Sequence, residues 1–255
     1  MFWLNSGIKH KNWGNILLFY CTNYLKKFAM KHWILCSILI LGTFTSWSQD
    51  EKITVDLGEF TEVRAFDGLS VNLIKSSENK AVITGNNTKK VAVVNNDGVL
   101  KLRMEVTKMF SGYRTFIDLY YSSDLVVIDV NEDARISSKE TIEQDVLELK
   151  AQEGGEIIIS AAVEQMLIKS VTGGVITATG SSDNQDVAIN TGGIYEGKDF
   201  KTRFTTVNVN AGSTAEIYAS DYVKATVKAG GEVQVYGDPA KMDEKTVFGG
   251  KVLRM

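Results

Sequence analysis

Apolar and polar residues alternate along most of residues 147–254, and pairs of small residues interrupt the alternation at regular intervals. A period of two is typical of half-buried β-strands, whereas an amphipathic helix requires a period near 3.6. Successive pairs start 19, 19, 20, 18 and 19 residues apart. They are Gly154 and Gly155, Gly173 and Gly174, Gly192 and Gly193, Gly212 followed by Ser213, Gly230 and Gly231, and Gly249 and Gly250.

Four positions around each pair repeat with the same spacing and are mostly apolar. Counted from the first glycine, they lie five and three residues before it, and three and five residues after it. In the first two units they are Leu149, Ala151, Ile157 and Ile159, and then Ile168, Ser170, Ile176 and Ala178. A single unit cannot bury these side chains, but stacked units enclose a continuous core. The pattern therefore predicts a parallel β-helix, or β-solenoid, with rungs of about 19 residues.

The repeated glycines predict tight bends between strands. Glycine adopts positive φ without steric cost and allows close backbone approach, and both properties suit a bend. A phosphate-binding loop is the alternative, but such a loop occurs once and precedes a helix. The calcium-binding repeat G-G-x-G-x-D is absent from the sequence. We therefore expect neither a metal ion nor a cofactor.

Residues 53–121 are also strand-like but follow a different pattern. Residues 96–98 read Asn-Asp-Gly, a strong signal for a β-hairpin turn. We therefore predict an all-β fold with one domain over residues 49–255, in which an antiparallel β-hairpin section (53–121) caps the repeat rungs (122–255). Asp133 and Ala134 take the place of the glycines in an irregular first rung. Residues 138–149 fit either a strand or one face of a short helix.

The start of the chain predicts export. Residues 30–48 have a basic start, an apolar run (34–44) and small residues, which is the order of a signal peptide. The run is shorter than the roughly 20 residues that span a bilayer, so we expect cleavage after Ser48 rather than an anchor. Residues 1–29 form a prefix of uncertain role, and we suspect that translation starts at Met30.

Removal of residues 1–48 would change the chemistry available to the protein. All four Trp, both Cys and both His lie in this segment, so the exported part would lack histidine bases, cysteine nucleophiles and disulfides. Five lysines would also be lost, which leaves 23 basic residues against 31 acidic ones. A net charge of −8 makes nucleic acid and anionic lipid poor partners. We accordingly expect no nucleic acid partner and no insertion into the membrane after cleavage.

Several segments resemble a known family, the head GIN domain proteins of Gram-negative bacteria, which are putative auto-transporter adhesins. The similarity covers about residues 59–251 and rests on FTEVRAFDGLSVNLIKS, NDGVLKLRM, the glycine rungs and VQVYGDPAKMDEKTVFGGKV. The resemblance implies a parallel β-helical fold, location in the periplasm, at the cell surface or outside the cell, and a binding role. The family has no catalytic residues to transfer to this chain.

Two groups of residues are candidates for binding. Asp183 and Asp186 lie in one predicted return loop and would either hold a weak cation or form a solvated acidic loop. Tyr218 and Tyr236 occupy equivalent positions, six residues after the first glycine of successive rungs. They would face outward as an aromatic platform for a sugar or a protein, or form a ladder that only stabilises the solenoid.

Together these features predict a secreted, non-enzymatic β-solenoid that serves as an adhesin or envelope binding protein. Its partner would be an unidentified surface glycan or protein. Two alternatives stay open, namely a polysaccharide-active lyase or hydrolase on the same fold, and a structural envelope protein that self-associates by stacking end to end.

Overall fold

The computed structural model describes residues 52–255. The predicted signal peptide and the prefix 1–29 lie outside the described residues. The described part contains 18 strands in one continuous sheet, two short 3₁₀ helices (Thr88–Lys90 and Val106–Lys108) and no α-helix. None of its helices is long and apolar enough to cross a membrane.

The strands alternate with tight turns along the whole described chain. Their bounds are β1 Ile53–Asp56, β2 Glu62–Ala65, β3 Ser70–Lys75, β4 Lys80–Gly85, β5 Val91–Asn96, β6 Val99–Met104, β7 Thr115–Tyr121, β8 Val127–Val130, β9 Arg135–Ala151, β10 Glu156–Val171, β11 Val175–Asn190, β12 Ile194–Glu196, β13 Phe200–Val209, β14 Thr214–Tyr218, β15 Tyr222–Lys228, β16 Glu232–Tyr236, β17 Lys241–Val247 and β18 Lys251–Arg254.

Parallel pairing between successive rungs confirms the predicted solenoid. Strand β10 pairs in parallel with both β9 and β11, and Ile157 lies opposite Ile176, 19 residues later. The same parallel order continues from β12 and β13 to β18, for about seven turns in all. Residues 138–149, which were ambiguous in sequence, lie in strand β9.

Each rung consists of two faces joined by a corner. In β10 the first face is the segment that follows a glycine turn, and the second face is the segment that leads to the next turn. Between the two, at Glu164, the register of the parallel ladder is interrupted. We call this position the corner. In β9, β10 and β11 it is a bend within one long strand rather than the return loop that the sequence predicted. In the later rungs short connections (197–199, 219–221 and 237–240) separate the strands of the two faces.

The glycine turns share one backbone conformation. In each turn two successive residues have positive φ, as in the type I′ turn. In the turn between β10 and β11, Thr172 has a φ of 49° and Gly173 a φ of 74°, and the Gly174 N–H donates to the Val171 carbonyl at 3.0 Å. The residue before the first glycine is never glycine, and it is Asp67, Glu153, Thr172, Thr191, Ala211, Ala229 or Phe248. In the irregular first rung Glu132 and Asp133 adopt the same two positive-φ conformations without a glycine.

The second glycine of each pair has a different role, since it lies close to the preceding rung. A Cβ atom built on Gly174 would lie 2.2 Å from the carbonyl oxygen of Ala151. At Gly231 the nearest atom would be a methyl group of Val209 at 2.9 Å, with the Val209 carbonyl oxygen at 3.2 Å. The first glycine therefore provides positive φ, and the second provides room for backbone contact between rungs.

The four repeated positions form the core, as the sequence predicted. Their side chains are almost completely buried from the first rung to the penultimate one. In two successive rungs, a large residue three positions after the first glycine is accompanied by a small one two residues later. The pair is Ile176 and Ala178 in one rung, and Tyr195 and Gly197 in the next.

Tyr195 places a polar group inside this core. Its ring is fully buried, and the Gln185 side-chain amide donates to its hydroxyl oxygen at 2.5 Å. Burial raises the pKa of Tyr195 well above its ordinary value, so the hydroxyl stays neutral. Gln185 is itself 1% exposed, and its Oε1 has no hydrogen-bond partner among the described residues.

The N-terminal section combines antiparallel and parallel strands. The predicted hairpin is confirmed, because β5 and β6 pair antiparallel around Asp97 and Gly98, which both have positive φ. Strands β1, β4 and β7 also pair antiparallel and cover one end of the first face. Strands β2 and β3 differ from the prediction, since they insert as an additional parallel layer between β6 and β8 and between β7 and β9.

The last rung ends the core with a pair of opposite charges. Glu244 and Arg254 lie opposite the buried residues Ala225 and Val235 of the preceding rung. The Arg254 guanidinium donates to the Glu244 carboxylate at 3.5 Å. Inward-pointing charges on an edge strand oppose pairing with another sheet, because pairing would bury them. The pair therefore disfavours end-to-end stacking through this edge.

Replacing both residues by valine is expected to promote self-association. In Glu244→Val/Arg254→Val the inward columns become apolar up to the open edge, so sedimentation velocity at increasing concentration should detect dimers and larger species. The matched control is Arg135→Val/Glu156→Val, an outward-facing pair that is also 3.5 Å apart. This explanation is contradicted if Glu244→Val/Arg254→Val stays monomeric at every concentration at which the control variant is monomeric.

Candidate functional site

A shallow groove lies along the corner of the C-terminal rungs. It has a volume of about 400 Å³ and is lined by residues from four successive rungs. The polar and aromatic lining includes Asp183, Lys201, Arg203, Tyr218 and Ser220. We call this depression the corner groove. It brings together Asp183 and Tyr218, which the sequence singled out separately.

Tyr218 and Tyr236 lie directly opposite each other on adjacent rungs. Both side chains are partly exposed, and the Tyr236 hydroxyl donates to the Gln234 side chain at 3.2 Å. A Cβ atom built on Gly237 would lie 2.8 Å from the Tyr218 ring, so glycine allows the ring to lie against the next rung. Tyr218 thus forms an aromatic wall of the corner groove, and Tyr236 extends the aromatic surface to the next rung.

Charged residues of alternating sign follow the corner along the stack. The register places Asp183, Arg203 and Asp221 at equivalent corner positions of three rungs. The Arg203 guanidinium pairs with the Asp221 carboxylate at 3.1 Å and lies 5.0 Å from the centre of the Phe204 ring. The Ser220 hydroxyl also donates to Asp221 at 2.7 Å. The hydrogen bond from Ser220 lowers the pKa of the Asp221 carboxyl group most, and the contact with Arg203 lowers it further.

The two predicted acidic residues do not form one site. Asp183 lines the corner groove, whereas Asp186 lies on the second face, where the Gln165 side chain donates to it at 3.4 Å. Residues 183–186 belong to strand β11 and not to a loop. Within residues 52–255, no group of three or more His, Cys, Asp or Glu side chains is placed to hold a metal ion.

The sequence analysis missed two pairs of stacked side chains. Glu196 lies opposite Glu216 on the first face, and Glu196 accepts a hydrogen bond from the Thr177 hydroxyl at 2.9 Å. Phe204 lies opposite Tyr222 on the second face. Both pairs occupy equivalent positions one rung apart, so the 19-residue period contained the signal. Each of the two glutamates lies four residues after the first glycine of its rung.

A second depression, of about 390 Å³, lies on the first face over β3, β7 and β9. Its lining includes Asn72, Asp118 and Arg135, and the Asn72 amide donates to Asp118 at 3.1 Å. The corner groove is the better candidate because it combines an aromatic wall with charges of both signs. Such a surface contacts sugar rings by stacking and their hydroxyl groups by hydrogen bonds.

Solved structures from Bacteroides fragilis and Parabacteroides distasonis have the same fold. A putative adhesin from Bacteroides fragilis NCTC 9343 matches with a TM-score of 0.73 and 16% identity, over 82% of this chain and 98% of that chain. A putative adhesin from Parabacteroides distasonis ATCC 8503 matches with a TM-score of 0.66 and 17% identity, over 80% of this chain and 96% of that chain. A putative lipid binding protein from the same strain matches with a TM-score of 0.62 and 14% identity, over 82% of this chain and 98% of that chain. At these identities the similarity establishes the fold alone.

The sequence also matches a family model. No curated protein shows significant similarity to the chain. The model for the putative auto-transporter adhesin, head GIN domain, matches residues 59–239. This range extends from the residues just before β2 to the corner between β16 and β17, and it includes the corner groove. The chain therefore belongs to the head GIN domain family of putative auto-transporter adhesins.

Proposed function

We propose that this protein is an exported, non-enzymatic binding protein of the cell envelope that holds a surface glycan in the corner groove. The observation that carries the proposal is that Tyr218 lines the groove together with Asp183, Lys201 and Arg203, and that Tyr236 lies opposite Tyr218 on the next rung. The family and the solenoid fold fit an adhesin-like role. A rigid stack of rungs keeps these side chains in place without a ligand, which reduces the entropy lost on binding.

The groove suits a sugar chain for two physical reasons. Aromatic faces offer apolar area to the C–H groups of a sugar ring, and the two rings extend over adjacent rungs roughly 4.8 Å apart. The charges at the corner offer both donors and acceptors to hydroxyl groups, since Arg203 and Lys201 donate while Asp183 accepts. A chain lying along the solenoid axis would contact both groups at once.

Removing both tyrosine rings is expected to weaken glycan binding strongly without unfolding the protein. Tyr218→Ala/Tyr236→Ala should weaken retention on an array of neutral, acidic and amino-sugar polysaccharides at least about tenfold, because stacked aromatic contacts contribute about 1 kcal/mol each beyond their area. The matched control is Phe116→Ala/Tyr120→Ala, which removes two rings that are at least partly exposed on β7, outside the corner groove.

The same variants distinguish a binding platform from a structural ladder. A ladder predicts that Tyr218→Ala/Tyr236→Ala lowers the melting temperature by more than about 5 °C and leaves retention unchanged. The platform predicts lost retention with a melting temperature close to that of the control. If the unaltered protein retains no member of the array, the glycan proposal is wrong.

Polysaccharide cleavage is a second candidate, favoured by the stacked pair Glu196 and Glu216. Paired carboxylates on one surface are the groups that glycoside hydrolases use as acid and base or nucleophile. New reducing ends or unsaturated sugars released from the same polysaccharides would support an enzyme, and Glu196→Gln or Glu216→Gln should then reduce their release at least about a hundredfold. Retention of intact polysaccharide supports the binding role.

A further inference from the structure

An apolar loop projects from the N-terminal part of the solenoid, far along the chain from the corner groove. Residues 105–114 connect β6 to β7 and expose four large apolar or aromatic side chains. The exposed fractions are 79% for Val106, 39% for Met109, 55% for Phe110 and 56% for Tyr113. Elsewhere in the described chain, exposed apolar residues are mostly scattered along the strands. We call these four side chains the apolar tip.

The loop is held in a defined conformation by a buried carboxylate. Asp67 is fully buried, and its carboxylate accepts the backbone N–H groups of Met104 at 3.0 Å and Phe110 at 3.2 Å. The Gly112 N–H donates to the Asp67 carbonyl at 3.0 Å, and a Cβ atom at Gly112 would lie 2.5 Å from that oxygen. The Tyr113 hydroxyl donates to Asp133 at 2.8 Å. The loop is therefore anchored at several points.

This anchoring presents Phe110 to solvent at a conformational cost. Phe110 has a φ of 56°, which is unfavourable for a bulky residue without glycine's freedom. A hydrophobic ring held outward by a strained backbone gains nothing in the isolated protein, because its apolar surface stays in water. It gains free energy only when another apolar phase covers it.

Basic residues lie in the same loop as the apolar tip and in the segment hydrogen-bonded to it. Lys108 and Arg114 belong to the same loop, and the neighbouring segment 86–90 adds Lys89 and Lys90. The two segments are joined by the Asn86 N–H, which donates to the Arg114 carbonyl at 2.8 Å. Their one acidic residue, Glu105, pairs with Lys90 at 3.0 Å, which leaves Lys108 and Arg114 as the main basic groups of the loop itself. The two segments thus have a net charge of +3, whereas residues 52–255 have 23 basic and 29 acidic residues.

We propose that residues 105–114, together with the basic segment 86–90, dock the protein on an anionic lipid surface. The apolar tip enters the boundary between headgroups and acyl chains, and the Lys and Arg side chains contact the phosphate groups. A protein partner is less suited, because a stable protein interface buries about 800 Å² on each side, more than a short projecting loop offers. This proposal differs from the expectation, based on net charge, that anionic lipid is a poor partner. The basic residues come from two separate segments, so they do not form a continuous basic block in the sequence.

Vesicle sedimentation tests the role of the apolar tip. The protein is purified from the envelope fraction of cells that express the full-length chain, and its N-terminus is read by mass spectrometry. We expect it to sediment with vesicles of phosphatidylcholine and phosphatidylglycerol, and Phe110→Ser to reduce the partition coefficient about tenfold. The matched control is Phe248→Ser, because Phe248 is 87% exposed and also has a positive φ of 51°.

A charge variant tests the basic rim without altering the apolar tip. Lys108→Ala/Arg114→Ala should lose about tenfold in binding to vesicles that contain phosphatidylglycerol, and should lose most of its dependence on salt. The control Lys224→Ala/Lys228→Ala removes the same charge from the second face. Circular dichroism melting curves verify that all four variants remain folded.

Three outcomes would overturn the proposal. The first is that the unaltered protein does not sediment with these vesicles, a result that would favour a protein partner for the loop. The second is equal binding by Phe110→Ser and Phe248→Ser. The third is equal binding by the two charge variants. The vesicles contain no glycan, so failure here leaves the corner groove untouched, and failure of the glycan array leaves this proposal untouched.

Discussion

Gly197→Ala is expected to lower the free energy of unfolding by about 3 kcal/mol, because the core has no room for one additional methyl group at this position. A Cβ atom on Gly197 would lie 2.3 Å from Cζ of Tyr195. The ring cannot move away, since Tyr195 is fully buried and its hydroxyl is fixed by Gln185. Urea unfolding followed by circular dichroism measures the loss.

The preceding rung indicates how the loss can be recovered. There the positions of Tyr195, Gly197 and Gln185 are occupied by Ile176, Ala178 and Met166. The triple variant Tyr195→Ile/Gly197→Ala/Gln185→Met copies that set. We expect it to unfold within about 1.5 kcal/mol of the unaltered protein, because the volume is redistributed and no buried amide is left without a partner.

Gly197→Ala alone and the triple variant must therefore differ strongly in stability. Tyr195→Ile alone serves as a control, since it leaves the Gln185 amide buried and unpartnered and should cost about 1–3 kcal/mol. If Gly197→Ala is as stable as the unaltered protein, the rung can shift to accommodate the additional methyl group, and the explanation is wrong. A triple variant no more stable than Gly197→Ala would show that volume matching between the two positions does not decide the packing.

Gly174→Ala is expected to cost about 3 kcal/mol, whereas Gly231→Ala should cost about 1 kcal/mol. Both residues are the second glycine of a turn, and neither has positive φ. They differ in what a methyl group would meet, which is the Ala151 carbonyl oxygen at 2.2 Å for Gly174 and a Val209 methyl group at 2.9 Å for Gly231. Backbone atoms in a parallel ladder cannot shift without breaking hydrogen bonds, but a side chain can.

Ser213 supports this interpretation, because it occupies the second glycine position in a turn of the same conformation. It is fully buried, and its hydroxyl donates to the Asn210 carbonyl at 2.7 Å. The turn itself therefore accepts a Cβ atom, and the distance to the preceding rung decides the cost. Thermal or urea unfolding of the two alanine variants checks the order. Equal losses, or a larger loss for Gly231→Ala, would contradict the explanation by close backbone approach.

The sequence determined the repeating part of the fold almost completely. The alternation of apolar residues, the 19-residue period and the glycine pairs predicted parallel rungs, the inward positions and the pairing of Tyr218 with Tyr236 on adjacent rungs. These features are recoverable because every rung meets the same local requirement. It must bury the same positions and turn at the same place, so the pattern recurs and can be counted.

The sequence was less informative where the repeat is broken. It predicted the hairpin at Asp97 and Gly98, but it did not predict that β2 and β3 insert as an additional parallel layer between strands that follow them in the chain. The order of layers depends on which non-adjacent strands bury each other's side chains. No periodic signal in the chain records that choice.

Only the tertiary structure decided which side chains meet at the surface. The bend within β11 moves Asp183 to the corner beside Tyr218 and leaves Asp186 on the second face, although the two acids are three residues apart. Contact between two loops likewise gathers Lys89 and Lys90 near Lys108 and Arg114. Local alternation determines whether a side chain points inward or outward, because it follows from strand geometry, but the neighbours of an outward side chain depend on how distant segments pack.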